Sequence, residues 1–391
     1  MLDQAGRKGN AGPDTKTGLY GTTKPDLWGR LQLHLMDICN WRAKGTEMAL
    51  NNAKTTHKPA TESGGNIVAA IGMTHTPGLG NLLDLPPKDQ VQRILSGFEE
   101  ARNILAVAKP DVIIALVNDH FDMSSMNNMP TFSVAVADEH FGPPEALEGW
   151  IQLKRAPIAG HREYAMDILR AGISAGFDLT RWGAAELVHN VLLPLRYLRP
   201  ERDIPVVPVF TNCLVPPLPS FSRCFASGEL LADVFARRPE RVAIIASGGL
   251  SHWPPFVKET DEPSNEIEAR MLAAQQKGSD GMDPELMLMI AEKEKEMAAT
   301  RDDLINVDWD RAFLKAFEEA DKDTLLSMTY EEVEHDGGNG GHEMAMWIMM
   351  MAALRGLPSR TIFYEPVKEW MGGAAAISYD KVLKKTHNVS G

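Results

Sequence analysis

Residues 111–120 read DVIIALVNDH: an Asp111 lead-in behind Pro110, a run from Val112 to Val117 that is apolar at every position, and then Asn118, Asp119 and His120 where the run stops. The run is rich in β-branched residues, too short for a comfortable helix and apolar on both faces, the pattern of a sheet strand covered by helices on either side. Ligands of open α/β sheets gather just beyond the carboxyl ends of such strands. His120 is therefore either a group displayed at a site or a turn residue with a local hydrogen bond, and the tripeptide alone leaves both open.

Working outward, IVAAIGMTH (67–75) is a second apolar run that ends in a histidine, followed by the turn-prone TPGLGN. A helical pattern over about 87–108 joins it to the His120 strand, so the order is β–α–β and a helix-flanked sheet is expected. PTFSVAVAD (130–138) alternates like a strand, and GHREYAMDILRAGISAGF (160–177) reads as a helix closed by Gly176. IPVVPVFTNC (204–213) and VAIIASGGLSH (242–252) are further apolar strands, the second ending in glycines and His252. Residues 304–330 resume the core with a helix, DGGNGGHEMAMWIMMMAAL supplies another, and RTIFYEPV a last strand. The expected fold is α/β: a single catalytic domain over 66–391, with a central mixed β-sheet flanked by helices. Two additions are expected: an N-terminal extension over 1–65 with one amphipathic helix inside 25–53, and a charged insertion over 258–303 that forms a pair of helices.

The 391 residues are 44% hydrophobic and 24% charged, ordinary for a soluble globular enzyme. A net charge of -13 leaves no electrostatic case for nucleic acid or an anionic membrane, because phosphate recognition needs clustered Lys and Arg. Cys39, Cys213 and Cys224 are odd in number and lack CxxC spacing, which argues against a disulfide framework or a zinc knuckle and fits a reducing cytoplasm. No apolar stretch has transmembrane length, the N-terminus lacks a signal-peptide core, and no GxGxxG or P-loop pattern occurs. A cytoplasmic protein without membrane or nucleic-acid partners is expected.

Three histidines thus share one description: His75, His120 and His252 each end an apolar strand-like run and can converge on one edge of the sheet. Glu343 is the fourth element. It follows GGNGGH and opens an apolar helix that would bury it, which requires a cation or donor as partner; the alternative is an exposed first-turn carboxylate favoured by the helix dipole. Two histidines and a carboxylate on one face of a metal form a facial triad with adjacent open positions for substrate and dioxygen on Fe(II). His252 is then free to move protons. Zinc hydrolysis would use a similar ligand set, and spacing does not separate the two.

The segments GMTHTPGLG (72–80), DVIIALVNDH with Asp122 and PTF (130–132), GH (160–161), SGGLSHWP (247–254) and HEMAMW (342–347) occur in one order. Together they resemble the class III extradiol ring-cleaving dioxygenases, the family of the protocatechuate 4,5-dioxygenase β-subunit. The resemblance implies that His75, His120 and Glu343 bind Fe(II), that His252 is the acid/base residue, and that His189, in ELVHNVLLPL, stands near the bound oxygen and ring. A catechol-type aromatic, carboxylated or methoxylated in some variants, would bind the iron through adjacent hydroxyls beside O2, with His252 taking a proton. Asn118 and Asp119 are candidate supports for the ligands, or else turn formers. The stretch EPVKEWMGGAA departs from the pattern: where the protocatechuate enzyme uses a serine to hold the ring carboxylate, this chain has Lys368, Glu369 and Trp370. Lys368 could bind an acid group and Glu369 would repel one, unless both face solvent with Trp370 in the core. A homo-oligomer, most simply a dimer, is expected. A Memo-type binding protein on the same fold is the competing class; the joint presence of His75, His120, Glu343 and His252 speaks for the enzyme.

Overall fold

The computed structural model describes residues 66–281 and 283–380; the expected extension, with its helix and Cys39, lies outside the described residues. Ten strands follow one another: β1 (Ile67–Met73), β2 (Val112–Asn118), β3 (Phe132–Ala135), β4 (Glu139–Gly142), β5 (Ala156–Ala159), β6 (Thr180–Trp182), β7 (Val206–Thr211), β8 (Val242–Ser247), β9 (Arg360–Val367) and β10 (Gly372–Ser378). Eight form one sheet in the order β6-β3-β7-β2-β8-β1-β10-β9, and β4 pairs with β5 in a separate ribbon. The four inner strands β7, β2, β8 and β1 are mutually parallel, while β3 against β7, β10 against β1 and β9 against β10 are antiparallel. The sheet is therefore the mixed, helix-flanked sheet that the sequence predicts.

Strand β2 shows why its sequence is apolar throughout. Val112, Ile114 and Leu116 enter one core, and Ile113, Ala115 and Val117 enter the other, all buried. The second core is covered by α1 (Lys88–Ala108), through Ile94 and Phe98. The first is covered by α2 (Arg162–Ser174), while α3 (His189–Leu198) joins α1 on the other face. The helices α4 (Phe221–Phe235), α7 (Val307–Glu319) and α8 (Met344–Ala353) complete the first core, and every residue of α8 is buried. A helix apolar on all sides is stable only in such an interior.

The charged insertion folds as two helices, α5 (Glu266–Lys277) and α6 (Pro284–Thr300). Gln275 of α5 ties it down: its side chain donates to the Val257 carbonyl at 2.6 Å and accepts the Val257 N–H at 3.1 Å, while its own carbonyl accepts the Met126 N–H at 2.7 Å. The insertion is thus fastened to the loops that follow both His120 and His252. Cys213 and Cys224 are free and buried; burial pushes the Cys224 thiol up to about 12 and Cys213 well above its ordinary value, so both are unreactive packing residues. Among the described residues no helix is long and apolar enough to cross a membrane.

Packing and chemistry can be separated by experiment. Leu116→Ala, in the middle of β2, removes a wholly buried side chain and is expected to cost about 2–5 kcal/mol in chemical denaturation. Metal content in the surviving folded protein should stay at the wild-type level. Loss of metal in that folded fraction would show that strand packing and ligand placement are not separable.

Candidate metal centre and active site

Neighbouring parallel strands bring their carboxyl ends side by side. Met73 of β1 lies in register with Ser247 of β8, and Leu116 of β2 with Ala246. His75, His120 and His252 follow just beyond these three ends, so residues distant in sequence meet at one edge. Glu343 is supplied by the 3-10 turn Gly341–Glu343 that leads into α8.

Glu343 is 1% exposed, and both its oxygens are engaged. Oε1 accepts the Asn118 Nδ2–H at 2.8 Å and lies 3.0 Å from His120 Nε2. Oε2 accepts the Gly249 N–H at 2.5 Å and lies 3.4 Å from His75 Nε2 and 3.9 Å from His252 Nε2. Burial alone would raise this carboxyl, but the surrounding imidazoles of His75, His120 and His252 hold it well below the usual carboxylate range. A buried anion is thus kept ionised at the centre of the histidines.

His75 stacks its other nitrogen on β8: Nδ1 is 2.8 Å from Ser247 Oγ. Burial pulls its pKa down to about 4, so the ring is neutral at neutral pH. In the tautomer that donates Nδ1–H to Ser247 Oγ, Nε2 turns a lone pair toward the Glu343 carboxylate. Two facing acceptors repel unless a cation lies between them, and a divalent metal satisfies this donor set. At His120 burial pulls the pKa down, but the hydrogen bond and charge of Glu343 prevail and raise it; a metal cation would take the place of that extra proton. Residues fit the metal, and their chemistry asks for one.

His189 begins α3 and stands against the other two rings, with centroids 5.2 Å from His75 and 4.6 Å from His120. One nitrogen from each of His75, His120 and His189 lies within 4.8 Å of the others, a second geometrically admissible metal set. Burial keeps His189 well below its ordinary pKa, hence neutral. Only Glu343 offers negative charge to the cation, which distinguishes the carboxylate set from the all-histidine set.

His252 is placed differently. Its Nδ1–H donates to the Leu250 carbonyl at 2.7 Å, leaving Nε2 as the nitrogen that faces the centre. The flat ring lies between Gly249 and Gly340, where a Cβ on either glycine would collide with it. Only glycine permits so close an approach of two backbones to an imidazole.

The remaining sequence candidates divide. Asn118 is fully buried, joins His120 and Glu343 through Nδ2, and has its carbonyl capped by Asn190 Nδ2 at 2.6 Å. Asp119 instead builds the turn, accepting the N–H groups of Asp122, Met123 and Ser124. Lys368 is paired with Asp302, and Trp370 is buried over Gly78 with its indole N–H donating to the Leu82 carbonyl at 2.9 Å. Glu369 sits between them on the same short turn, half-buried. Two residues carry no such sequence signal: Trp150, whose ring centroid lies 5.0 Å from that of His189 at a steep angle, and Ser247. Trp150 carries no signal of its own, because it arrives on the excursion between β4 and β5. Ser247 stood inside SGGLSH, yet its partnership with His75 depends on register.

Ser247→Ala is expected to weaken metal affinity by roughly 10–100-fold, the usual effect of removing the partner of a ligating imidazole, while leaving the fold intact. Competitive metal titration against a chelator measures it. An unchanged affinity would mean that Ser247 does not orient His75.

The family description "catalytic LigB subunit of aromatic ring-opening dioxygenase" matches residues 69–373. A protein of Paraburkholderia xenovorans named 2,3-dihydroxyphenylpropionate/2,3-dihydroxicinnamic acid 1,2-dioxygenase is 29% identical over 317 residues, 78% of this chain and 95% of its own length. A protein of Photorhabdus laumondii with the same name is 27% identical over 323 residues, 81% of this chain and 98% of its own. Among solved structures, that of an uncharacterized protein from Escherichia coli K12 overlaps at 14% identity with a TM-score of 0.45, over 80% of this chain and 99% of that one. With the matched span running from β1 into β10 and enclosing every residue of the centre, the chain belongs to the LigB family of aromatic ring-opening dioxygenases and is a ring-cleaving dioxygenase of the extradiol class.

Proposed function

We propose that the metal is Fe(II), held by His75, His120 and Glu343, and that the substrate is a catechol-type aromatic whose ring is opened beside, not between, its two hydroxyl-bearing carbons. The observation that carries this reading is the ionised, buried Glu343 facing the Nε2 atoms of two histidines. Two neutral imidazoles and one carboxylate leave open positions on one face of the metal, which suits two reactants held together. When bound, the iron supplies the electron transfer between ring and dioxygen that side chains cannot perform.

The chain's own groups do the rest. With Nδ1 committed to the Leu250 carbonyl, His252 Nε2 is the nitrogen at the edge of the centre that takes a hydroxyl proton from the substrate and returns one as bonds rearrange. His189, neutral and beside His75 and His120, offers a small aromatic wall and a nitrogen next to the open face. Trp150 extends that wall outward. Both atoms of O2 end in the product, as the dioxygenase class requires.

The substrate names of the relatives make 2,3-dihydroxyphenylpropionate the first compound to try. Oxygen uptake by anaerobically Fe(II)-loaded protein, followed across that compound, catechol, protocatechuate and gallate, tests the reading. A coloured ring-opened product with one oxygen molecule consumed per ring is expected. No uptake with any of the panel, or full hydrolytic activity with zinc and no oxygen dependence, would overturn it.

A further inference from the structure

Asp310 has no place in the reaction as described, yet it is wholly buried. It sits in the first turn of α7, where an acidic residue ordinarily faces solvent and the helix dipole. Here the carboxylate points inward and both oxygens are used. Oδ1 accepts the Ser251 N–H at 2.7 Å, and Oδ2 accepts the Tyr364 O–H at 2.6 Å from β9. Ser251 is gripped a second time, its Oγ accepting the N–H of Asn306, the N-cap of α7, at 2.8 Å. Burial pushes the Asp310 carboxyl up to about 6 against the pull of these donors, so the group is held there at a cost. Costly buried carboxylates that are fully hydrogen-bonded fix geometry.

The geometry fixed is that of His252, the next residue. Its N–H donates to the Gly337 carbonyl at 2.9 Å and its carbonyl accepts the Gly340 N–H at 3.2 Å, so the backbone is clamped on the far side. Asp310 and Asn306 clamp the near side through Ser251. The loop 248–253 is thereby anchored to α7, β9 and the 337–340 turn, and the ring can only lie in the slot between Gly249 and Gly340.

We propose that Asp310 is the positioning residue for His252: through the Ser251 N–H and the Tyr364 hydroxyl it ties the loop to the sheet and so sets the aim of the Nε2 atom that exchanges protons with the substrate. The inference rests on the role given to His252 above. Small displacements of a proton acceptor are costly in rate, up to about 100-fold per ångström.

The test uses iron-loaded enzyme and two readouts: steady-state kinetics on the best catechol of the panel, and anaerobic binding of 4-nitrocatechol, whose visible absorption separates the monoanion from the dianion. Asp310→Ala is expected to lower kcat roughly 10–100-fold, with KM within about threefold and iron content at the wild-type level. Bound 4-nitrocatechol should shift from dianion toward monoanion. Asp310→Asn, which keeps an oxygen for the Ser251 N–H, should recover part of both; Tyr364→Phe should show a smaller loss of both. An Asp310→Ala enzyme that melts lower but keeps wild-type kcat and dianion fraction overturns the proposal, as does a kcat loss that follows loss of iron. If the alanine variant does not fold, Tyr364→Phe and Asp310→Asn decide, and wild-type values in both sink it. Wild-type enzyme that binds 4-nitrocatechol without ionising it counts against the catechol reading itself, whereas an ionising wild type beside an equally ionising Asp310→Ala counts against Asp310 alone.

Discussion

Glu343→Ala is expected to strip the protein of its metal and abolish ring opening, the largest effect of any single substitution in this chain. The carboxylate is the only anion among the three groups assigned to the cation, and it also receives the Asn118 side chain and the Gly249 N–H. Removing it leaves two buried donors without an acceptor and takes away the charge, itself 1% exposed, that makes a divalent ion welcome there. Metal affinity should fall by more than about 100-fold, beyond the effect of losing a mere supporting residue. Glu343→Gln should do nearly the same while keeping the volume, because charge is what is lost. His189→Ala provides the contrast: metal content should survive and turnover should fall. Metal analysis of the three variants after anaerobic reconstitution decides between the ligand sets. If His189→Ala loses the metal and Glu343→Ala keeps it, the all-histidine set is the correct one.

His252→Gln is expected to separate binding from turnover. The Nε2 atom lies 3.9 Å from Glu343 Oε2, outside hydrogen-bond range, so the ring makes no hydrogen bond to that carboxylate. Metal content should be unchanged. A general acid/base contributes about 10²–10⁴-fold, and kcat should fall by that amount with anaerobic catechol binding preserved. A variant that turns over within about tenfold of the wild type would mean that protons reach the substrate by another route.

The strand ends that carry these histidines are legible in the sequence, for a definite reason. Buried parallel strands write themselves as unbroken apolar runs, and β1, β2 and β8 each stop at a polar tip with a histidine at or just past it. Which tips are neighbours is not written locally. The order β2-β8-β1 and the register that sets Ser247 opposite Met73 arise from long-range pairing, so the Ser247 contact to His75 had no local trace. Asp310 was hidden for the opposite reason: it stands where helix starts commonly carry an acid, and nothing nearby tells an inward carboxylate from an outward one. Asp119 admitted two readings, and its hydrogen bonds to three successive N–H groups show what holds that turn. Lys368 likewise admits two readings, a partner for an acid group or a solvent-facing charge, and the structure pairs it with Asp302 at the end of the insertion.

The way the centre is assembled has a kinetic consequence. His120 and Glu343 meet across 223 residues of chain, and His75 reaches Ser247 across 172. Glu343 stands 223 residues from the nearer of the two histidines, so no short segment contains all three ligands. Contacts of such separation form late, after the loop entropy of the whole sheet has been met. A nascent or unfolded chain therefore presents only scattered single donors, and tight metal uptake becomes a signal that β1, β2, β8 and α8 have all docked. During refolding, metal capture should lag behind the recovery of helical structure.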